Sequence, residues 1–292
     1  MDIAYYPGCT LKTKGINFEK TALAFLELFD VNAVELEDWY CCGVMYSQTT
    51  DNLMHQLAPI RTLIKAKESG SKKLLTLCSM CYNTLKRSQL FIQSDEEKRD
   101  KINNFMDREI DFNGDEVEVV HILNLLERIG VDKLRAKIEK DVSDIKFAPY
   151  YGCVLTKPKE ISIVQNPDDP EIIEEILEGI GFESVYYPFK NECCGSFQVV
   201  NQREIVKERT RKIVTTAINN EADFIVLTCP LCFYNLDAVQ KDIKKEDEHF
   251  KTIPVLYITQ LLALAYGLDP ELNDFSLHHI DPRPVLERKG LL

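Results

Sequence analysis

Short apolar runs alternate along this chain with longer stretches in which apolar residues recur every three or four positions. Residues 2–6 and 146–151 read as the first strands of two similar halves. Residues 18–29 carry Phe18, Ala22, Phe25, Leu26 and Phe29 at helical spacing, and residues 170–180 repeat the pattern with Ile172, Ile173, Ile176, Leu177 and Ile180. Acidic residues Asp168, Asp169 and Glu171 suit the start of that second helix, and Gly181 suits its stop. Residues 31–36 and 183–187 read as second strands, 51–69 and 202–221 as second helices, and 72–77 and 223–228 as short buried third strands. This alternation predicts α/β architecture with largely parallel sheets. In such sheets functional groups gather beyond the carboxyl ends of the strands.

All ten cysteines fall at those ends. Cys9, Cys41, Cys42, Cys78 and Cys81 form one set, spaced C-x31-CC-x35-C-x2-C, with Gly43 directly after the adjacent pair. Cys153, Cys193, Cys194, Cys229 and Cys232 form a second, spaced C-x39-CC-x34-C-x2-C, with Gly195 directly after its adjacent pair. The sets are offset by about 150 residues, and the neighbouring sequence repeats with them: Tyr5-Tyr6-Pro7-Gly8-Cys9 matches Tyr150-Tyr151-Gly152-Cys153. A duplication at half the chain length gives two domains, 1–141 and 142–292, the second carrying a C-terminal tail. Helices starting at Ser79 and Pro230 would aim backbone N–H groups at the C-x2-C pairs, which favours thiolate. Gly8, Gly43, Gly152 and Gly195 adjoin cysteines where the backbone must come close or turn left-handed. The first half carries an extra charge-rich stretch over 94–116, expected as a solvated excursion. The tail from Asp269, with Pro270, Pro282 and Pro284, is expected to be irregular and to hug the surface.

Composition narrows the chemistry. The chain has 292 residues and a formal charge of −12, with no basic block, which argues against nucleic acid and anionic membranes as partners. No run approaches the roughly 18 apolar residues of a membrane span. The N-terminal MDIAYYPGC has no signal-peptide pattern, so a cytoplasmic, reducing location is expected, where clustered cysteines are metal ligands or redox thiols rather than a disulfide framework. Zinc takes four ligands, and adjacent cysteines do not both readily reach one ion. Five cysteines per set, including an adjacent pair, suit a cluster of several irons better, with zinc and free or oxidised thiols as the alternatives.

The doubled C-x(31–39)-CC-x(34–35)-C-x2-C pattern, with a glycine after each adjacent pair, resembles the cysteine-rich CCG domain family and, with two copies and little else, the B subunit of heterodisulfide reductase. The resemblance implies two Rossmann-like CCG domains related by a pseudo-twofold axis, each holding a noncubane [4Fe-4S] cluster. The first cluster would be held by Cys9, Cys41, Cys42, Cys78 and Cys81, and the second by Cys153, Cys193, Cys194, Cys229 and Cys232. The implied reaction is reduction of the coenzyme M–coenzyme B heterodisulfide to two thiols, the last step of methane formation. The implied partners are the ferredoxin-like [4Fe-4S] subunit of heterodisulfide reductase and its flavin subunit, with a hydrogenase or formate dehydrogenase as electron source. Similar CCG pairs occur in electron-transfer subunits of 2-hydroxy acid and glycerol-3-phosphate oxidising complexes. Those chains usually add C-x2-C-x2-C-x3-C-P ligands, which are missing here, so electrons are expected from another polypeptide. His121, at the end of a strand and matched by Tyr257 in the second half, is a candidate proton donor or sulfur partner, set against a structural histidine. Lys12, Lys14, Lys157 and Lys159, just past the first cysteine of each half, are candidate anchors for an anionic substrate, set against ordinary surface lysines.

Overall fold

The computed structural model describes residues 1–44, 52–106 and 112–292. Two four-stranded sheets carry the molecule, and every strand pairing within them is parallel. In the first half β1 (Asp2–Tyr5), β2 (Asn32–Glu35), β3 (Lys73–Thr76) and β4 (Glu118–His121) take the order β2-β1-β3-β4. In the second, β5 (Lys146–Tyr150), β6 (Glu183–Ser184), β7 (Phe224–Leu227) and β8 (Val255–Tyr257) take the order β6-β5-β7-β8. The registers put Thr76 beside His121 and Leu227 beside Tyr257, so those two residues hold equivalent places.

Helix Ile16–Glu27 buries Phe18, Ala22, Phe25 and Leu26, the stripe that the spacing predicts. Helix Leu53–Glu68 is capped by Asn52, whose side chain accepts from the Met54 amide at 2.9 Å; its expected start at Asp51 lies outside the described residues. One expected strand is much shorter than its run suggests. Of 183–187, Glu183–Ser184 alone pairs with β5, at Lys146 and Phe147. The Val185 amide donates to the Phe147 carbonyl, so residue 147 faces β6, and by alternation residue 149 does too. Residue 149 is proline, which has no N–H to continue the ladder. Tyr5, at the same place in β1, has one, and there β2 pairs over four residues.

Two other expectations change. The charge-rich excursion contains helix Glu96–Met106, which buries Ile102 and Met106; its stretch 107–111 lies outside the described residues. The tail does not merely hug the surface. Asn273, His278, Leu286 and Leu291 are buried, and Asp237 accepts from the amides of His279 and Ile280 at 2.6 and 2.9 Å. Burial of polar groups requires partners, and His278 Nε2 takes the amides of Asn17 and Gln260, one from each half, at 3.3 and 3.0 Å.

The halves meet by exchanging equivalent contacts. Helix Ile16–Glu27, following β1, packs on helix Ile258–Ala265, which follows β8. Helix Ile172–Gly179, following β5, packs on helix Ile122–Ile129, which follows β4. All eight residues of Ile258–Ala265 are buried, as expected of a helix covered on every side. Across this seam Phe18 stacks on Tyr257 at 4.2 Å and 4°, and on its other face Tyr257 stacks on Phe233 of its own half at 4.4 Å and 15°. Such pairs add about 0.5–1.5 kcal/mol each beyond their burial. Among the described residues no helix is long and apolar enough to cross a membrane.

Candidate metal centres

Each set of cysteines is assembled by three strand ends. Cys9 lies in the single turn Gly8–Leu11 after β1, Cys41 and Cys42 follow β2, and Cys78 caps helix Ser79–Ser94, whose first turn carries Cys81. In the second half Cys153 follows β5, Cys193 and Cys194 follow the β6 region, and Cys229 caps helix Pro230–Glu246, whose first turn carries Cys232. Proline at the first helical position costs nothing there, since that N–H has no helical acceptor.

All ten are free thiols. In the first set the Cys41 and Cys9 sulfurs are 3.7 Å apart. Hydrogen bonds from Cys41 and Cys81 pull the Cys42 thiol well below the ordinary range, a bond with Cys81 lowers Cys78, and Cys81 is pushed up in return. These contacts run through all five sulfurs. In the second set Cys194 lies 3.4 Å from Cys232, which also bonds Cys229. Cys193 bonds Cys153, and with the Gly195 amide and the Arg209 guanidinium this bond lowers its pKa to about 6 against the cost of burial. The Gly195 and Ser196 amides point at the Cys193 and Cys194 sulfurs, each at 3.4 Å. Among the described residues no three Cys, His, Asp or Glu side chains close on one ion position. Five thiols per set, two of them adjacent in sequence, exceed the four ligands of a single zinc and suit a cluster of several irons better.

The backbone is shaped around the sulfurs. Gly8 has φ +69°, and a Cβ there would lie 2.8 Å from Cys81 Sγ; at Gly152, φ +65°, it would lie 3.1 Å from Cys232 Sγ. Any side chain at either position would be strained and would press on a cysteine sulfur.

Two residues were overlooked by sequence reasoning. The buried Tyr6 hydroxyl donates to the Tyr40 carbonyl at 2.7 Å, and Tyr150 donates to the Glu192 carbonyl at 2.6 Å. Those carbonyls belong to the residues just before Cys41 and Cys193, so each tyrosine ties strand one to the adjacent-cysteine loop. The signal was present: a tyrosine stands three residues before the first cysteine in both halves.

His121 is fully buried. Its Nε2 lies 3.1 Å from the Leu77 carbonyl and its Nδ1 accepts the Leu123 amide at 3.4 Å. Burial lowers its pKa to about 3, so the ring is neutral and holds the strand end that leads into Cys78. Burial and the neighbouring Cys229 and Cys78 sulfurs raise the pKa of the Tyr257 hydroxyl well above the ordinary range. Lys12 is paired with Glu19 at 2.8 Å and Glu35 at 2.6 Å. Lys14, Lys157 and Lys159 are exposed on the loops after Cys9 and Cys153.

The two sites adjoin the seam. The Ser79 hydroxyl, one residue after Cys78, lies 3.2 Å from that of Thr228, one residue before Cys229. Asn83, on the helix that carries Cys81, donates to the Val154 and Lys157 carbonyls just past Cys153, both at 2.7 Å.

The family model described as a cysteine-rich domain, CCG, matches residues 3–86 and 147–237. The chain is 30% identical over 279 residues to the 8-methylmenaquinol:fumarate reductase membrane anchor subunit of Wolinella succinogenes, covering 95% of this chain and 96% of that one. It is 29% identical over 277 residues to the B subunit of the ferredoxin/F420H2-dependent CoB-CoM heterodisulfide reductase of Methanosarcina acetivorans, covering 92% and 90%. A crystal structure of a hypothetical protein from Helicobacter pylori shares the fold with a TM-score of 0.74 at 13% identity, covering 95% of this chain and 51% of that one.

Proposed function

Because the chain belongs to the CCG cysteine-rich domain family and carries the domain twice, we propose that it is the iron–sulfur oxidoreductase component that reduces the coenzyme M–coenzyme B heterodisulfide within a multisubunit enzyme. The observation that carries this reading is the meeting of two equivalent five-thiol sites at one seam, with Ser79 and Thr228 in contact between them. Cleaving a disulfide takes two electrons and two protons and yields two thiols. When bound, two noncubane [4Fe-4S] clusters would supply the electrons, one from each half.

The chain's own part is to hold and orient. Cys9, Cys41, Cys42, Cys78 and Cys81 would ligate one cluster, and Cys153, Cys193, Cys194, Cys229 and Cys232 the other. Tyr6 and Tyr150 fix the adjacent-cysteine loops. The Ser79–Thr228 contact and the Phe18–Tyr257–Phe233 stack fix one site against the other, the kind of rigid positioning that lowers the cost of a two-centre reaction. Lys14, Lys157 and Lys159 would anchor the anionic ends of the substrate, whereas Lys12 is already paired with two carboxylates. His121, neutral and bonded at both nitrogens, would serve by holding the Leu77–Cys78 turn. In this reading the protein is cytoplasmic. Its electrons come from the ferredoxin-like [4Fe-4S] subunit, itself supplied through the flavin subunit from a hydrogenase or formate dehydrogenase.

A second reading is an electron-transfer subunit of a quinol-linked fumarate reductase, favoured by the full-length similarity to the Wolinella protein. One experiment separates them. Anaerobically purified protein should hold about eight irons, two clusters of four. With reduced viologen it should cleave the heterodisulfide and give a new paramagnetic signal on adding it. Eight irons without cleavage or signal would favour the electron conduit, and no iron would end both readings.

A further inference from the structure

Among the described residues the two thiol sites differ at one buried side chain that touches a cysteine loop in the second half. In helix Pro230–Glu246, Asn235 is fully buried and its amide donates to three acceptors around the adjacent-cysteine loop: the Cys194 sulfur at 3.4 Å, the Cys194 carbonyl at 3.3 Å and the Ser196 carbonyl at 2.8 Å. Its Oδ1 has no hydrogen-bond partner. The amide has two N–H groups for these three acceptors: one serves the Ser196 carbonyl, and the other is shared between the carbonyl and the sulfur of Cys194, so the sulfur receives part of a proton donor. The equivalent place in helix Ser79–Ser94 is Thr84. Its hydroxyl is buried too, but it donates to the Met80 carbonyl at 2.9 Å, one turn back in its own helix. A threonine turned onto the helix in this way has no proton left for a sulfur.

We infer that Asn235 makes the two centres unequal in redox potential, because its amide hydrogen-bonds a cysteine sulfur in the second half, whereas Thr84, at the equivalent place in the first, turns its hydroxyl onto its own helix. This inference rests on the proposed cluster binding and deepens it. A thiolate ligand gains negative charge when its cluster is reduced. An N–H directed at that sulfur stabilises the reduced form more than the oxidised one and so raises the potential. The second centre then fills before the first as electrons arrive. In a two-electron cleavage supplied one electron at a time, this order sets which half holds the first electron. Asn235 acts through Cys194 and is a positioning and tuning residue, not a catalytic one.

The test is a redox titration of the cluster-loaded protein, followed by electron paramagnetic resonance, with Asn235→Thr to copy the first half. The expected result is a lower potential for one of two resolved centres, with the other unmoved. A tenfold fall in the one-electron equilibrium would appear as about 59 mV. A second measurement needs no variant. In the native protein exchanged into deuterium oxide, one reduced centre should show coupling to an exchangeable deuteron on the Asn235 amide, and 15N labelling of asparagine should identify it. Two loaded centres whose potentials both stay put in Asn235→Thr, or no asparagine coupling in the native protein, would overturn the inference. Absence of iron in the native protein would overturn the cluster reading instead, a separate outcome.

Discussion

Replacing Tyr6 by Phe removes one oxygen and leaves the ring in place. The lost bond joins a fully buried ring to the carbonyl of Tyr40, a residue 46% exposed. Water can reach a carbonyl at such a position, so the cost is the net value of a hydrogen bond, about 1 kcal/mol, rather than the larger penalty of a stranded buried acceptor. Because the bond ties β1 to the loop that begins at Cys41, the loss falls on loop opening and not on the sheet. About 1 kcal/mol raises the population of the opened loop roughly fivefold, and the first site should then release iron to a chelator about fivefold faster. Tyr150→Phe should do the same to the second site, through Glu192 and Cys193. The assay is iron release from anaerobic protein, with each site followed by its own signal and overall stability by denaturant. If Tyr6→Phe speeds release from both sites equally, or from neither while global stability drops, then the tyrosine supports the domain and not the loop, and the reasoning is wrong.

Gly8→Ala should lose the first site with the second kept, because its Cβ would fall 2.8 Å from Cys81 Sγ; Gly43→Ala, equally left-handed but with nothing among the described residues within 4 Å of its Cβ, should keep both, as iron content would report. The pH dependence of stability should show His121. Its folded pKa of about 3 lies below the ordinary value of 6.5, so between them the unfolded chain binds a proton that the folded chain does not. Stability is therefore complete above pH 6.5 and falls as pH drops toward 3, by about 1.4 kcal/mol per unit for one proton. His121→Gln should flatten that slope by one proton in denaturant titrations. Single Lys→Gln changes at Lys14, Lys157 and Lys159 should raise KM for the heterodisulfide about tenfold with kcat kept, for a contact worth about 1.4 kcal/mol; unchanged KM in all three at low salt would place the anion anchors elsewhere.

Much of this architecture was legible because duplication prints each signal twice. The helical stripe at Phe18, Ala22, Phe25 and Leu26, the parallel strands and the gathering of ten cysteines at strand ends follow from period and spacing. What was hidden depends on partners distant in sequence. The shortness of β6 comes from Pro149, more than thirty residues upstream, whose effect shows only once its missing N–H is known to face that edge. The burial of the tail comes from His278 meeting amides on both halves and from Asp237 taking the His279 and Ile280 amides, which no local run of prolines and charges reveals. The tyrosine ties and the Asn235 amide were unreadable for the same reason, since their acceptors are a carbonyl or sulfur brought in by the fold.

The reciprocal seam has a further consequence for ancestry. The helix after the first strand of each half lies on the helix after the last strand of the other, so one half on its own would present both surfaces to solvent. Two copies of such a half would satisfy each other through the same patches, which is the self-complementary interface of a twofold homodimer. The chain is in effect that dimer written as a single polypeptide. Joining the copies released them from identity, because a substitution no longer appears on both sides of the axis. Tyr5 opposite Pro149, His121 opposite Tyr257 and Thr84 opposite Asn235 are places where the symmetry has since been broken.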